Sequence, residues 1–111
     1  MDDFINGYKL KIFLGESDKH DHMPLYEWVL KQAMEHKLSG GTVIRGLSGY
    51  GSHSQIHSAK ILSISCDLPI IIEFNDTVSN IEKFLPTIDE AIKDGLVTLE
   101  NIQLKIYKSS K

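Results

Sequence analysis

The chain is short of several things at once. It has one cysteine, Cys66, among 111 residues, which excludes an intrachain disulfide and any thiolate metal motif built on paired cysteines. Cys66 sits among apolar neighbours and reads as a buried thiol. Prolines number three and tryptophans one, and no tract is of low complexity or internally repeated. The longest apolar run, Leu68–Ile72, contains Pro69 and is far too short to cross a bilayer. Excess positive charge is also missing. Twelve basic residues stand against fifteen acidic ones, for a formal net charge of −3. That balance gives no electrostatic reason to expect a polyanion or an anionic membrane as partner. The opening MDDFINGYK is acidic and then polar, unlike a secretory leader, so a cytoplasmic location is expected.

What is present is ordinary in amount and informative in order. Apolar residues make up 41% and charged residues 24%, the balance of a soluble globular protein, and the length suits one domain over residues 1–111. Leu10, Ile12 and Leu14 alternate with Lys9, Lys11 and Phe13, which predicts a half-buried strand ending at Gly15. A polar loop, GESDKHDHM, leads to Pro24, well placed in the first turn of a helix. Leu25, Val29 and Ala33, flanked by Tyr26, Leu30 and Met34, give that helix a broad apolar face, and Gly40–Gly41 are expected to close it. Thr42–Leu47 is predicted as a second strand, Lys60–Ser65 as a continuation of its hairpin, and Leu68–Phe74 as a central strand. Ser79 and Glu82 have capping-box spacing before a stripe of Ile81, Phe84, Leu85, Ile88 and Ile92. Pro86 interrupts the stripe, and Thr87 with Glu90 supplies a second box, so a kink or restart is expected there. Ile102, Leu104 and Ile106 alternate in a last strand.

The order is β-α-β-β-α-β. It predicts an α+β, ferredoxin-like fold with a four-stranded antiparallel sheet and both helices on one face. The other sheet face is then uncovered, with Phe13, Val43 and Leu47 as its apolar candidates, and a homo-oligomer is expected to cover it.

Chemistry concentrates in one stretch. RGLSGYGSHSQIH, Arg45 to His57, holds three glycines and two histidines. Glycines let a backbone take unusual dihedrals and let a ligand approach closely, so Gly46, Gly49 and Gly51 are candidates for a concave run of amides around an anion. The stretch is neither a P-loop nor a dinucleotide fingerprint, and a plain mobile hairpin is the simpler alternative. His20, His22, His53 and His57 are candidate metal ligands, although HxH in a polar loop is unspecific. Glu16-Ser17-Asp18 reads as a turn rather than as a carboxylate site. An RNA-recognition reading fails because Leu68–Phe74 carries only Phe74 as a stacking aromatic. No nucleophile–base pair can be placed, so no enzymatic activity is expected.

Several of these blocks carry a resemblance. GTVIRGLSGYG, Gly41 to Gly51, resembles the PII signalling proteins, with Tyr50 at a position where they have phenylalanine. GESD, PLYEWVL, TVIRGLSGYG, IHSAKIL, DLPIIIEFND, IEKFLP and GLVTLENIQL, spread over residues 8–107, are more similar still to the PII-like family catalogued as domain of unknown function 190. The resemblance implies a trimer with ligand clefts between subunits, an adenine nucleotide as ligand, and a long loop, here residues 48–59, that engages a target protein. It places Gly49 and Gly51 at the loop root, beside which Arg45 and Ser52 are further candidate ligand-binding residues. Gly95 to Asn101, including Thr98, falls on the phosphate-binding loop, and Lys105 and Lys108 on the basic residues that follow. The run DGLVTLEN keeps only Gly95 of that loop's glycines, and Glu100 beside a triphosphate would be repulsive. The expected function is a ligand-sensing regulatory protein that binds a small anion. The alternative is a trimeric divalent-metal protein resembling the CutA proteins and using the histidines.

Overall fold

The structure is a computed structural model that describes residues 3–51, 57–58 and 67–109. Six main elements follow one another: β1 (Ile5–Gly15), α1 (Leu25–Glu35), β2 (Gly41–Arg45), β3 (Pro69–Thr77), α2 (Val78–Ala91) and β4 (Leu96–Leu104). Two short ribbons decorate them, Lys19–His20 on Met23–Pro24 and Ser48–Gly49 on His57–Ser58. The four long strands form one antiparallel sheet in the order β2-β3-β1-β4, the ferredoxin-like arrangement. The predicted fold class holds.

Alternation builds the core. Leu10, Ile12 and Leu14 of β1 stand opposite Phe74, Ile72 and Ile70 of β3, and all six are buried. Leu25, Val29 and Ala33 of α1 and Ile81, Phe84, Ile88 and Ala91 of α2 cover them. Each large apolar side chain removed from water here contributes roughly 1.5–3 kcal/mol. Met34, expected on the α1 stripe, is 76% exposed.

Three local expectations need correction. The left-handed residue that ends α1 is Lys37 (φ 62°), not a glycine of the Gly40–Gly41 pair; the Lys37 N–H donates to Met34 O and that of Leu38 to Ala33 O. Gly41 instead opens β2. The N-cap of α2 lies two residues before the predicted one, Ser79. It is Thr77, which accepts from the Asn80 N–H, and the helix runs unbroken through Pro86, whose position is exposed. Val43 lies on the helix side of the sheet, opposite Ile72, and Leu47 lies beyond the end of β2. The expected strand Lys60–Ser65 and Cys66 fall outside the described residues.

The uncovered sheet face is ordered in rows. Ile44, Ile71, Phe13 and Leu96 pair in sequence across all four strands and make one apolar row, with Ile44 48% and Leu96 58% exposed. The next row is polar: Thr42, Glu73, Lys11 and Thr98. Beyond it Asn75, Lys9 and Glu100 follow.

Asp76 continues the inward alternation of β3 and is fully buried, opposite Tyr8. Burial by itself would raise its pKa, but hydrogen bonds from the Ser39 N–H (2.6 Å), the Asn80 amide (2.9 Å) and the Thr77 N–H (2.7 Å) hold it below the ordinary carboxylate range. It ties the α1–β2 connection to the start of α2.

Candidate functional site

At the other end of the sheet three chain reversals meet. The β1–α1 turn is closed by Asp18, which accepts from the Gly15 N–H at 2.9 Å, while the Leu25 N–H donates to Asp18 O. The chain re-enters β3 beside this turn: the Glu16 N–H donates to Leu68 O, and the Ser17 N–H donates to Asp67 at 2.8 Å. The exit from β2 joins the same cluster, since the Gly46 N–H donates to Pro69 O and Arg45 pairs with Glu16 at 3.5 Å. The third reversal links α2 to β4. A Cβ on Gly95 would lie 2.7 Å from Phe13 O, so only glycine lets that turn approach β1 so closely.

Between these reversals lies a cavity of about 520 Å³. Gly49, Tyr50 and Gly51 form one wall, Gly95 and Leu96 another, and the turn residues Gly15, Ser17 and Asp18 with Asp67 and Pro69 a third. Phe13 and Leu96 form part of its apolar lining and belong to the apolar row of the open face, so cavity and open face are continuous. Three aspartates, Asp18, Asp67 and Asp94, line it, and no lysine or arginine does among the described residues. Asp18 and Asp94 also border a second cavity of about 380 Å³, between the Lys19–His20 ribbon and the C-terminal end of α2.

The candidate residues divide. Gly49, Gly51 and Gly95 come together around the main cavity, and Arg45 stands near by, engaged with Glu16. Gly49 packs on Pro69, and a Cβ there would lie 3.1 Å from the proline ring. A Cβ on Gly51 would meet nothing within 4 Å, so within one chain this glycine is not required by close contact. Ser52 and His53 lie outside the described residues, as do most of positions 52–59. Gly95 to Asn101 is not a loop: β4 begins at Leu96, and the turn is the short segment before it. Thr98 and Glu100 are strand residues on the open face, with Glu100 opposite Lys9, so Glu100 does not approach the cavity. Lys105 pairs with Asp3 at 3.3 Å, just past the far end of β4. Lys105 is therefore roughly 33 Å along the extended chain from Gly95, at about 3.3 Å per strand residue, with Lys108 beyond the same strand end.

His20 stacks on Trp28 with ring centroids 4.1 Å apart, and His22 occupies a left-handed turn position. Among the described residues no group of three or more His, Cys, Asp or Glu is arranged to hold a metal ion. No helix among them is long and apolar enough to cross a membrane. The carboxylates of the cavity are inconspicuous in the sequence because GESD has the composition of a simple turn, which it also is. Nothing in the pattern links Asp67 to that turn across fifty positions.

The model of one protein family matches residues 7–104: DUF190, described as "Uncharacterized ACR". A UPF0166 protein of Aquifex aeolicus is 34% identical over 95 residues, covering 86% of this chain and 90% of its own length. A UPF0166 protein of Methanocaldococcus jannaschii is 36% identical over 100 residues, covering 89% and 90%. Among solved structures, CPII of Thiomonas intermedia K12, a nitrogen regulatory PII-like protein bound to ADP, AMP and bicarbonate, superposes with a TM-score of 0.63 at 23% identity, over 93% of this chain and 92% of that one. Its apo form gives 0.61 at 18% identity, over 91% and 94%. The fold is thus PII-like.

Proposed function

The chain belongs to the DUF190 family, and from that premise we propose that it is a non-enzymatic, PII-like ligand sensor. It binds an adenine nucleotide in the cavity between the loop root and the α2–β4 turn. The observation that carries this reading is the cavity itself. It has the size of a small-ligand site, and the glycines singled out in the sequence, Gly49, Gly51 and Gly95, line it together. The ADP and AMP bound by CPII, which shares the fold, support the choice of ligand.

The same reading makes the protein a homotrimer. The row Ile44, Ile71, Phe13 and Leu96 crosses the whole sheet on its uncovered side and continues into the cavity, so a second copy covering that row also closes the site. It accounts too for Lys105 and Lys108, which lie at the wrong end of their own sheet. In an assembly they serve the mouth of the neighbour's cavity, where charge-assisted bonds to a phosphate contribute roughly 1.5–3 kcal/mol each. Signalling follows if the ligand prefers one arrangement of the segment 48–59, whose roots form the cavity wall.

The test is calorimetric titration with AMP, ADP and ATP, beside light scattering. Saturable binding of an adenine nucleotide is expected, with a scattering mass three times that of the 12.5 kDa chain. Lys105→Ala should weaken binding and leave the mass unchanged. A protein that binds no adenine nucleotide, or a concentration-independent monomer, overturns the reading.

A further inference from the structure

Within a single chain, the described lining of the cavity proposed above as a nucleotide site has the wrong charge for phosphate. Among the described residues no cation lines it, whereas Asp18, Asp67 and Asp94 do. A phosphate placed beside Asp18 and Asp67 would face like charge in a partly desolvated space. The carboxylates are nevertheless well prepared to accept. Asp67 gives one oxygen to the Ser17 N–H, and Asp18 one to the Gly15 N–H. The second oxygen of each takes no hydrogen bond from a described residue. Asp67 is also seated by the backbone beside it: a Cβ on Gly15 would lie 2.9 Å from both of its oxygens, so the glycine makes room for the carboxylate where it stands. The rest of the lining is partly apolar or aromatic, through Phe13, Pro69, Leu96 and Tyr50.

Resting on the nucleotide reading, we infer that the cavity takes the nucleoside end of the ligand, with the ribose cis-diol donating to Asp67 and the phosphates directed away from the aspartates. A carboxylate held by a backbone N–H on one oxygen and free on the other is a natural acceptor for sugar hydroxyls, as in dinucleotide sites where an acidic side chain reads the ribose. The apolar walls then receive the base. Asp67 is the residue that selects for a ribose, and phosphate number is read outside the single-chain cavity.

The measurement is calorimetric titration of the intact protein with AMP and with 2′,3′-dideoxy-AMP, repeated on Asp67→Ala and Asp67→Asn. Asparagine keeps a carbonyl oxygen for the Ser17 N–H, so that variant carries the test if the alanine form does not fold. The parent is expected to bind AMP at least about tenfold more tightly than the dideoxy compound. In the variants that preference should fall below about twofold through loss of AMP affinity. Equal binding of the two compounds by the parent, or an undiminished preference in the variants, overturns this inference while leaving the nucleotide site standing. Loss of ADP binding on chelation of divalent cations also overturns it, since phosphates would then be bridged to the carboxylates by metal. If the parent binds neither compound nor ADP, both readings fall.

Discussion

Strand β3 has an aspartate at each end, and the two make opposite use of the same chemistry. Asp76 at one end and Asp67 at the other both accept main-chain N–H groups across a chain reversal. Asp76 takes hydrogen bonds on both oxygens, from Ser39, Thr77 and Asn80, and is fully buried. Among the described residues Asp67 takes one, from Ser17, and it faces a cavity. A buried charge is tolerated only when its acceptors are used up, and a charge with an acceptor to spare belongs where something else can supply the donor. The number of satisfied lone pairs, more than residue type, separates a structural tie from a recognition group.

The contrast breaks most directly by deletion. Asp76→Ala leaves two backbone N–H groups and the Asn80 amide without their acceptor, and should lower unfolding free energy by about 3 kcal/mol in urea titrations. Asp67→Ala strands a single N–H at a partly exposed turn and should cost less than about 1 kcal/mol. Equal losses would erase the distinction between the two ends.

Acid sharpens it next. The folded pKa of Asp76 lies below its unfolded value, because the hydrogen bonds from Ser39, Asn80 and Thr77 outweigh the opposing effect of burial. The stability it contributes is therefore complete above the unfolded value, about pH 4, and is lost as pH falls through the folded one. Melting temperatures measured from pH 6 down to pH 2 should drop for the parent and for Asp67→Asn. Asp76→Asn, already weakened, should lack that part of the acid dependence. A parallel decline in all three proteins would remove Asp76 as the cause.

The smallest effect lies where the chain approaches the closed end. Lys37 holds a left-handed conformation just before Ser39 reaches Asp76. Such a conformation costs an L-residue roughly 1–2 kcal/mol, partly offset for glycine by its greater freedom when unfolded. Lys37→Gly should thus raise stability by about 0.5–1 kcal/mol in the same titration. A loss would mean that the lysine side chain makes a contact worth more than the backbone strain.

Much of this architecture was legible as periodicity. The stripe Leu25, Val29 and Ala33, the run Ile81, Phe84 and Ile88, and the alternation of Leu10, Ile12 and Leu14 are local patterns, and each names its buried face correctly. Edges were harder to read. Val43 and Ile44 are equally apolar and adjacent, and only pairing with Ile72 and Ile71 decides which faces the helices and which faces out. The same holds for Gly95 to Asn101, expected as a loop, whose backbone pairs with β1 from Leu96 onward.

The sequence by itself determined the order of elements, the faces that must be buried and the glycine-rich stretch where the chain comes close to itself. These are short-range properties, fixed by spacings of two to four residues and by the conformational freedom of glycine. Tertiary structure alone decided the rest. It brought Asp67 to Ser17 across fifty positions, engaged both oxygens of Asp76 but, among the described residues, only one of Asp67, and aligned Ile44, Ile71, Phe13 and Leu96 into one row leading to a cavity. Those outcomes depend on register, and no single segment of the chain carries the register of its partners.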